Sequence, residues 1–325
     1  MIRARVVGTG NYLPEKILTN KDMEVLCDTT DEWIQQRTGI KQRHVAAPDE
    51  ATSDLCTRAA ENALKDAGIA AGDVDAVICC TLTPDYMFPS TGSVVQAKLG
   101  ADNAAALDIN AACSGFLYGL ATANAYIQSG LYKTVVVTAG ELVSNRIIYK
   151  NRDTGVLFGD GAGAVVLRAE EGERGVLSMY LGSDGKSADM LIMHKGGSKV
   201  PPKPDNVLDI FTIQMKGQEL FKRAVVKFPE ACQKAFDSTG LTIDDVALFV
   251  PHQANGRILE AAAQRMGLPT EKLYMNIDRV ANIVAGSIPI ALHHAREDGR
   301  IKDGDIVLLA SFGAGVTWGS SLIRW

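Results

Sequence analysis

Cys113 stands at a junction where a thiol could act as a nucleophile. It follows AALDI, which is typical of a strand, and precedes SGFLYGLATANAYI, which is typical of a helix. A thiol at a helix N-terminus lies in a positive field, so we expect the pKa of Cys113 to be lowered. Its small neighbours leave room for a substrate: Ala111, Ala112, Ser114 and Gly115. Taken alone, a free cysteine is more often an inert core residue.

Two further polar residues occupy comparable junctions. His252 directly follows the apolar segment ALFVP, and such strand ends often carry the site residues of α/β proteins. The alternative for His252 is a loop histidine with satisfied hydrogen bonds. Asn282 precedes a predicted helix in RVANIVAGSIPIAL, where a turn or cap asparagine is the ordinary interpretation.

An internal repeat connects these three residues. Residues 62–80 align with residues 234–252 when Gly68 is placed on Gly240, an offset of 172 residues, and each copy predicts a helix, a glycine stop, a loop and an apolar strand. Two further blocks align at the same offset: TVVVTA at 134–139 with IVLLAS at 306–311, and CSGFLYGLATANAYI from Cys113 with AGSIPIALHHAREDG from Ala285.

The repeat predicts two similar α/β halves, residues 1–170 and 171–325. Continuously apolar strands such as DAVICC and ALFVP indicate sheets that are covered on both faces. A pseudo-twofold would bring the helices after Cys113 and Asn282 face to face, with His252 at the end of a strand of the second sheet. All three side chains could then converge on one pocket. The polar stretch 183–206 predicts an irregular insertion near the junction.

Composition excludes several classes of protein. The chain has 33 Lys and Arg against 38 Asp and Glu, a net charge of −5, which does not favour nucleic-acid binding. Its six cysteines form no CxxC pair and no metal-like cluster with histidine. The first residues lack an apolar signal core, and no apolar run approaches the roughly 18 residues that span a bilayer. We expect a cytoplasmic protein that is not associated with a membrane and keeps its thiols reduced.

Two glycine-rich segments fail as dinucleotide-binding motifs. GTG at 8–10 lacks the third glycine, and GDGAGAVV at 159–166 has Val166 where glycine or alanine is required. Both are interpreted as tight turns, and we predict no NAD binding.

The chain resembles β-ketoacyl-acyl-carrier-protein synthase III of the thiolase-like superfamily, essentially from end to end. The motifs that carry the resemblance are GTGNYLP at 8–14, DEWIQQRTGI at 31–40, DINAACSGF at 108–116, FGDGAGAVVL at 158–167, PHQAN at 251–255 and the closing FGAGVTWGSSLIRW. The resemblance implies a five-layer αβαβα fold, a homodimer, and catalytic roles for Cys113, His252 and Asn282.

The resemblance also implies a reaction, the initiating condensation of fatty-acid synthesis. Cys113 attacks an acyl-CoA thioester, CoA leaves, and the backbone N–H groups of Cys113 and Ala314 hold the oxyanion. His252 Nε2 and Asn282 Nδ2 then donate to the thioester carbonyl of malonyl-acyl-carrier protein. Loss of carbon dioxide forms an enolate, which attacks the acyl group. We expect no metal or redox cofactor to be needed.

Four residues match family positions that bind CoA. Trp33 and Arg152 match residues on either side of the adenine, and an indole and a guanidinium can both stack on a base. Arg37 and Asn255 match positions near the phosphates and the pantetheine. The alternative for Trp33 is a partly exposed helix residue.

The acyl pocket and the carrier-protein surface are implied in the same way. Phe158 matches an acyl-pocket residue, and Phe88 matches a residue that reaches the partner's acyl pocket, although simple packing is the alternative for Phe88. Lys222, Arg223 and Arg257 are expected to form a basic rim for the acidic acyl carrier protein. Solvated surface charge is the alternative for Arg223.

The sequence departs from the family around the catalytic asparagine. The family usually has Gly-Asn-Thr-Ser, whereas this chain has Ala281-Asn282-Ile283-Val284, which removes two hydroxyls and adds a Cβ that restricts the backbone. Ala314 also stands where glycine is typical. These changes suggest an altered acyl pocket or a specialised starter-unit condensing enzyme or acyltransferase of secondary metabolism.

Other functions fit the sequence less well. A thiolase needs a second catalytic cysteine near the C-terminus, but the last cysteine here is Cys232. A hydroxymethylglutaryl-CoA synthase needs a glutamate base upstream of the nucleophile, where the segment CCTLTPDYMFPS offers only Asp85. A non-catalytic acyl-CoA or carrier-binding scaffold would not need all of Cys113, His252 and Asn282.

Overall fold

The computed structural model describes residues 1–203 and 213–325. The strands of these residues, in chain order, are β1 (Ile2–Tyr12), β2 (Lys16–Thr19), β3 (Gln42–Val45), β4 (Ala76–Cys80), β5 (Ala105–Ile109), β6 (Thr134–Glu141), β7 (Gly161–Glu171), β8 (Gly175–Ser183), β9 (Leu191–Met193), β10 (Ile213–Met215), β11 (Val246–Pro251), β12 (Ile306–Gly313) and β13 (Thr317–Arg324).

The helices of the same residues are α1 (Asn20–Leu26), α2 (Asp31–Thr38), α3 (Thr52–Ala67), α4 (Thr91–Leu99), α5 (Gly115–Gln128), α6 (Arg152–Gly155), α7 (Gly217–Phe236), α8 (Gly256–Met266), α9 (Ile277–Val280) and α10 (Ser287–Glu297). Short 3₁₀ turns precede the two central helices, at Ala112–Ser114 before α5 and at Val284–Gly286 before α10.

Two large sheets organise the described residues. The first has the strand order β1-β7-β6-β4-β5, in which β4 pairs parallel with β5 and β6 while β7 pairs antiparallel with β1 and β6. The second has the order β11-β12-β13-β8, in which only β11 and β12 are parallel. The first sheet ends with β7 at Glu171 and the second begins with β8 at Gly175. Whether residues 1–170 and 171–325 are separate domains stays a prediction.

The alternation of side chains along the strands explains the layers. In β4, Val77 and Cys79 pack with α3, whereas Ile78 and Cys80 pack with the central helices α5 and α10. In β11, Phe249 packs with α7 and α8, whereas Val250 faces the central layer. The order is therefore helix, sheet, helix, sheet, helix. The predicted α/β fold with five layers is confirmed.

The repeat is visible in the elements themselves. β6 and β12 start and end 172 residues apart, and so do the 3₁₀ turns before α5 and α10. Ala112 and Val284, at equivalent places in these turns, both have a φ of 46°. The turn that carries Cys113 and the turn that follows Asn282 are thus two copies of one local structure.

The stretch 183–206 is more regular than predicted. It contains a short helical segment, Gly185–Met190, followed by β9, which pairs antiparallel with β10. Its last residues, 204–206, lie outside the described residues. Strand β9 could not be predicted from the sequence, because it is only three residues long and lies within a polar stretch.

A partly buried histidine of the central layer joins the two halves. His294 of α10 lies with Nε2 2.8 Å from Asn11 Nδ2 and with Nδ1 3.0 Å from Asn276 Nδ2. A neutral imidazole donates at one nitrogen and accepts at the other, so one amide must present oxygen. Exchanging the Asn276 amide atoms, whose Oδ1 is otherwise buried without a partner, satisfies both residues. Burial lowers the pKa of His294 to about 4, and the nearby Arg279 charge adds to this shift.

The lowered pKa of His294 predicts an acid-sensitive fold. Between about pH 6.5 and 4 this histidine binds a proton in the unfolded chain but not in the folded chain. The free energy of unfolding should therefore fall as the pH falls through that window. Because the side chain is only partly buried, we expect a contribution on the order of 1–2 kcal/mol. Urea unfolding at pH 7 and pH 4.5 should show a smaller loss in His294→Gln than in the unaltered protein; equal losses would contradict this.

Candidate active site

Two cavities meet at Cys113. The arginine cavity has a volume of about 430 Å³ and is lined by Cys113, His252 and Asn282 together with Arg37 and Arg152, among other residues. The apolar cavity has a volume of about 510 Å³. Its wall, as far as the described residues form it, includes Cys113 and these apolar side chains: Leu82, Val143, Phe158, Leu191, Ile192, Met193, Ile213 and Val284.

Close packing fixes the position of Cys113. The side chain is 7% exposed, and a Cβ added to Gly313 would lie 2.5 Å from Cys113 Cβ, so only glycine fits at the end of β12. The Thr317 hydroxyl lies 3.0 Å from both the Ala111 and the Ala314 carbonyl oxygens. This contact holds the turn that carries Cys113 against the loop after β12. The sequence singled out Cys113 and Ala314, but not Gly313 or Thr317, whose roles depend on this contact between the halves.

The predicted lowering of the Cys113 pKa is wrong. Burial raises the pKa of the thiol to about 12, and the charge of Glu141 adds to this effect. The backbone N–H groups of Ala314 and Cys113 oppose the shift by hydrogen bonding toward the sulfur. Backbone donors from the Cys113 turn and from the loop after β12 therefore act on the thiol, but desolvation outweighs them.

His252 is a neutral side chain that faces the arginine cavity. Its backbone N–H donates to the Ala310 carbonyl at 2.8 Å, which places the residue directly after β11. The ring is fully buried, and neither ring nitrogen has a hydrogen-bond partner among the described residues. Burial lowers the pKa of His252 to about 3, partly opposed by the nearby Val284 backbone carbonyl, which favours the protonated ring. The imidazole is thus uncharged at neutral pH and can donate one N–H to a ligand.

The orientation of Asn282 follows from its hydrogen bonds. Its Oδ1 accepts the Val284 N–H at 2.8 Å, so the Nδ2 group remains available to donate toward the cavity that this residue lines. Its backbone N–H donates to Leu157 O at 3.0 Å and its carbonyl accepts from Gly159 N–H at 3.1 Å. These contacts fix Asn282 against the segment that carries Phe158.

The departures next to Asn282 have different structural consequences. Ala281 has a φ of 60° and a ψ of −160°, a backbone region that is almost exclusive to glycine, so its Cβ does strain the chain. Ile283 points away from the cavities and packs with Val280, Ile290 and Leu13. Val284 lines the apolar cavity beside Cys113. Of the two hydroxyls that the sequence lacks, only the one at position 284 would face the site.

The expected CoA residues lie at the mouth of the arginine cavity. Thr30 caps α2 and accepts the Trp33 N–H at 3.1 Å, which helps to position the indole. The Arg152 guanidinium carbon lies 4.5 Å from the Trp33 ring centroid, and that of Arg37 lies at 5.9 Å. An adenine between Trp33 and Arg152 would need about 7 Å, twice a van der Waals contact, so Arg152 must move to admit it.

Asn255 lines the same cavity, but hydrogen bonds to the protein occupy its amide. Its Oδ1 caps α8 by accepting the Arg257 N–H at 3.0 Å, and its Nδ2 donates to the Arg37 carbonyl at 2.9 Å. These two hydrogen bonds join the start of α8 to the end of α2. A role in binding pantetheine stays a prediction.

The two phenylalanines occupy contrasting environments. Phe158 is 7% exposed and lines both cavities. Phe88 is 86% exposed, lines neither cavity, and lies beside the exposed Tyr86 and Met87. Within one chain Phe88 therefore cannot act on the acyl pocket, and its expected role across a dimer stays a prediction.

The expected carrier-docking residues do not form a uniform group. Lys222 and Arg257 are exposed, and the residues next to them, Phe221 and Ile258, line the arginine cavity. Arg223 instead donates to Asp184 at 2.7 Å, so its charge is paired within the protein.

Glu141 is a buried site residue that sequence reasoning missed. It is fully buried at the end of β6 and accepts hydrogen bonds from the Thr81 hydroxyl (3.1 Å), the Thr83 hydroxyl (2.7 Å) and the Leu82 N–H (3.1 Å). Burial raises the pKa of this carboxyl to about 7. The repeat offers the one available signal, since Glu141 aligns with Gly313, which touches Cys113.

The described residues contain no group of three or more His, Cys, Asp or Glu that could hold a metal ion. In the same part of the chain, no helix combines the length and hydropathy needed to cross a bilayer.

Comparisons with known proteins agree with this architecture. The profile of 3-oxoacyl-[acyl-carrier-protein (ACP)] synthase III matches residues 107–185, and that of its C-terminal domain matches residues 236–325. The chain is 50% identical over 325 residues to the β-ketoacyl-[acyl-carrier-protein] synthase III of Caldanaerobacter subterraneus subsp. tengcongensis, covering 100% of this chain and 98% of that protein. It is 47% identical to the protein of that name from Desulfitobacterium hafniense, with the same coverage.

Solved structures give the same picture. The 3-oxoacyl-[acyl-carrier-protein] synthase III of Aquifex aeolicus VF5 superposes with a TM-score of 0.93 at 42% identity, covering 99% of this chain and 100% of that one. The priming β-ketosynthase of the R1128 polyketide pathway superposes with a TM-score of 0.94 at 32% identity, covering 99% and 96%.

The contact between Gly313 and Cys113 can be tested directly. In Gly313→Ala the new Cβ must displace the turn that carries Cys113. A displacement of about 1 Å lowers a catalytic rate by about 10²-fold. Gly185→Ala is the matched control, because a Cβ there has no atom within 4 Å. Steady-state turnover should fall only in Gly313→Ala. Full turnover in that variant would show that the close packing does not position Cys113.

Proposed function

Because the chain belongs to the β-ketoacyl-[acyl-carrier-protein] synthase III family, we propose that Cys113, His252 and Asn282 carry out the family's condensation. The protein is an acyltransferase that joins an acyl-CoA starter to malonyl-acyl-carrier protein and initiates fatty-acid synthesis. The observation that carries the residue assignment is that the thiol, the neutral imidazole and the oriented amide line one cavity.

The first half-reaction transfers the acyl group to Cys113. The sulfur forms a bond to the thioester carbonyl carbon, the carbonyl oxygen takes the negative charge, and the bond to the CoA sulfur then breaks. The N–H groups of Cys113 and Ala314 stabilise the oxyanion, and one such donor contributes on the order of 3 kcal/mol. The thiol proton leaves with CoA as its free thiol. Since the resting thiol has a raised pKa, loss of its proton must accompany substrate binding.

The second half-reaction uses His252 and Asn282 as hydrogen-bond donors. His252 Nε2–H and Asn282 Nδ2–H bind the malonyl thioester oxygen, and both bonds strengthen as loss of carbon dioxide places negative charge there. The enolate carbon attacks the acyl carbonyl, and the Cys113 sulfur leaves with the bonding electrons and regains a proton. The low pKa of His252 supports this role, because a neutral donor remains neutral throughout. The electrons balance without a metal or redox cofactor, and we propose that none is needed.

Substrate and partner binding follow from the mouth of the arginine cavity. Trp33, Arg37 and Arg152 would bind the adenine and phosphates of CoA through stacking and charge. Lys222 and Arg257 would attract the acidic carrier protein by long-range electrostatics. The chain would act as a homodimer in the cytoplasm, and the exposed Phe88 supports the dimer because a buried environment for it must come from another chain.

A specialised starter-unit condensing enzyme of secondary metabolism is the second candidate. It is favoured by Val284, which places an apolar wall beside Cys113 where the family usually has a hydroxyl. The likeness to a priming β-ketosynthase of a polyketide pathway is consistent with this alternative. The chemistry at Cys113 is the same in both cases, and only the starter and the fate of the product differ.

Separating the two half-reactions tests the roles of the three residues. Intact-protein mass after incubation with acyl-CoA should increase by one acyl group in the unaltered protein, His252→Ala and Asn282→Ala, but not in Cys113→Ala. Product formation from malonyl-acyl-carrier protein should fall at least about 10²-fold in His252→Ala and in Asn282→Ala, since each loses a donor to the enolate.

Two results would contradict the assignment. Loss of acyl loading in His252→Ala or Asn282→Ala, with an unchanged melting temperature, would place these residues in the first step instead. Acyl-CoA binding without any mass increase in the unaltered protein would favour the non-catalytic scaffold.

A further inference from the structure

The backbone at Val284 adopts a conformation that its own side chain disfavours. A φ of 46° lies in the left-handed region, where a β-branched residue is a genuine outlier. Ala112, the equivalent residue of the first turn, has the same φ. The conformation therefore belongs to the repeated turn, and a small residue satisfies it. The isopropyl group of Val284 is not required to form the turn.

The contacts of this isopropyl group lie beside the nucleophile. Val284 clusters with Cys113, Val143 and Phe158, and it lines the apolar cavity together with Ala314. Strained residues that persist in a fold concentrate at functional sites. The preceding Ile283 provides the contrast, because its equally apolar side chain fills the core and touches neither cavity.

Within one chain the apolar cavity is much larger than an acetyl group needs. Its volume is about 510 Å³, whereas a single water molecule occupies about 30 Å³ of liquid and the methyl of an acetyl group is of similar size. Each further methylene that entered this cavity would be removed from water against apolar side chains, which favours longer chains. A hydroxyl at position 284 would oppose that preference, because it would lose its hydrogen bonds to water when an alkyl chain covered it.

We propose that Val284 is a specificity-determining residue for acyl loading, which selects apolar acyl groups of several carbons over acetyl. The inference rests on the proposed function, since it concerns the acyl group that Cys113 accepts. The backbone N–H of Val284 orients Asn282, whereas its side chain selects the starter, so the two roles can be separated by substitution.

The test measures the rate of acyl loading by intact-protein mass with acetyl-CoA, butyryl-CoA, hexanoyl-CoA and octanoyl-CoA. The unaltered protein should load hexanoyl faster than acetyl. Val284→Thr keeps the shape and the β-branch, so the turn and the Asn282 hydrogen bond remain. The added hydroxyl should lower the hexanoyl-to-acetyl ratio about fivefold or more.

Two further variants keep the result interpretable. Ile283→Thr makes the same chemical change one residue away in the core, and it should lower the melting temperature while the loading ratio stays the same. Val284→Ala adopts the turn as Ala112 does, so it should fold, and its wider cavity should shift the fastest starter to a longer chain.

The outcomes separate this inference from the proposed function. Loading of every acyl group with equal ratios in Val284→Thr, Ile283→Thr and the unaltered protein would overturn the role of Val284 alone. Faster loading of acetyl than of any longer chain in the unaltered protein would do the same. No mass increase with any acyl-CoA would overturn the covalent mechanism, and the inference with it.

Discussion

The active site depends on how closely the two halves approach each other in the central layer. A Cβ on Gly115 would lie 3.2 Å from Ala285 Cβ, and a Cβ on Gly313 would lie 2.5 Å from that of Cys113. The turns before α5 and α10 are therefore nearly in contact, and the end of β12 lies against the nucleophile. Because packed interiors resist even a methylene of extra volume, this contact fixes the turn that carries Cys113 relative to the turn that follows Asn282.

Burial at this contact also sets the charge state of the site. It raises the pKa of Cys113 and of Glu141 and lowers that of His252, so desolvation favours the uncharged form of each. Around these three groups the site thus favours uncharged forms, so under the proposed mechanism hydrogen-bond donors would stabilise the negative charge that develops during reaction. Such donors act strongly where water is excluded, and they need no reorganisation as the charge appears.

The sequence predicted the parts of the site that depend on local pattern and repetition. Cys113 and Asn282 could be placed because their turns are copies 172 residues apart, and His252 because it ends an apolar strand. The pKa of Cys113 could not be predicted, since the field of the local helix lowers it whereas burial in the folded protein raises it. Glu141 escaped notice because its donors come from a loop about 60 residues earlier, and Arg223 because its partner Asp184 is 39 residues away.

The stacking of Arg152 on Trp33 has a consequence for the CoA binding proposed above. The Arg152 guanidinium covers the indole face, so an adenine bound there would exchange one stacking contact for others instead of simply adding them. The base would then add less affinity than it would on an uncovered indole face. A flat group of the right width could make this exchange and a saturated one could not, so the pair of residues would discriminate among ligands more than it would retain them. Weak retention suits an enzyme whose first product is free CoA, because that product must leave before the second substrate can enter.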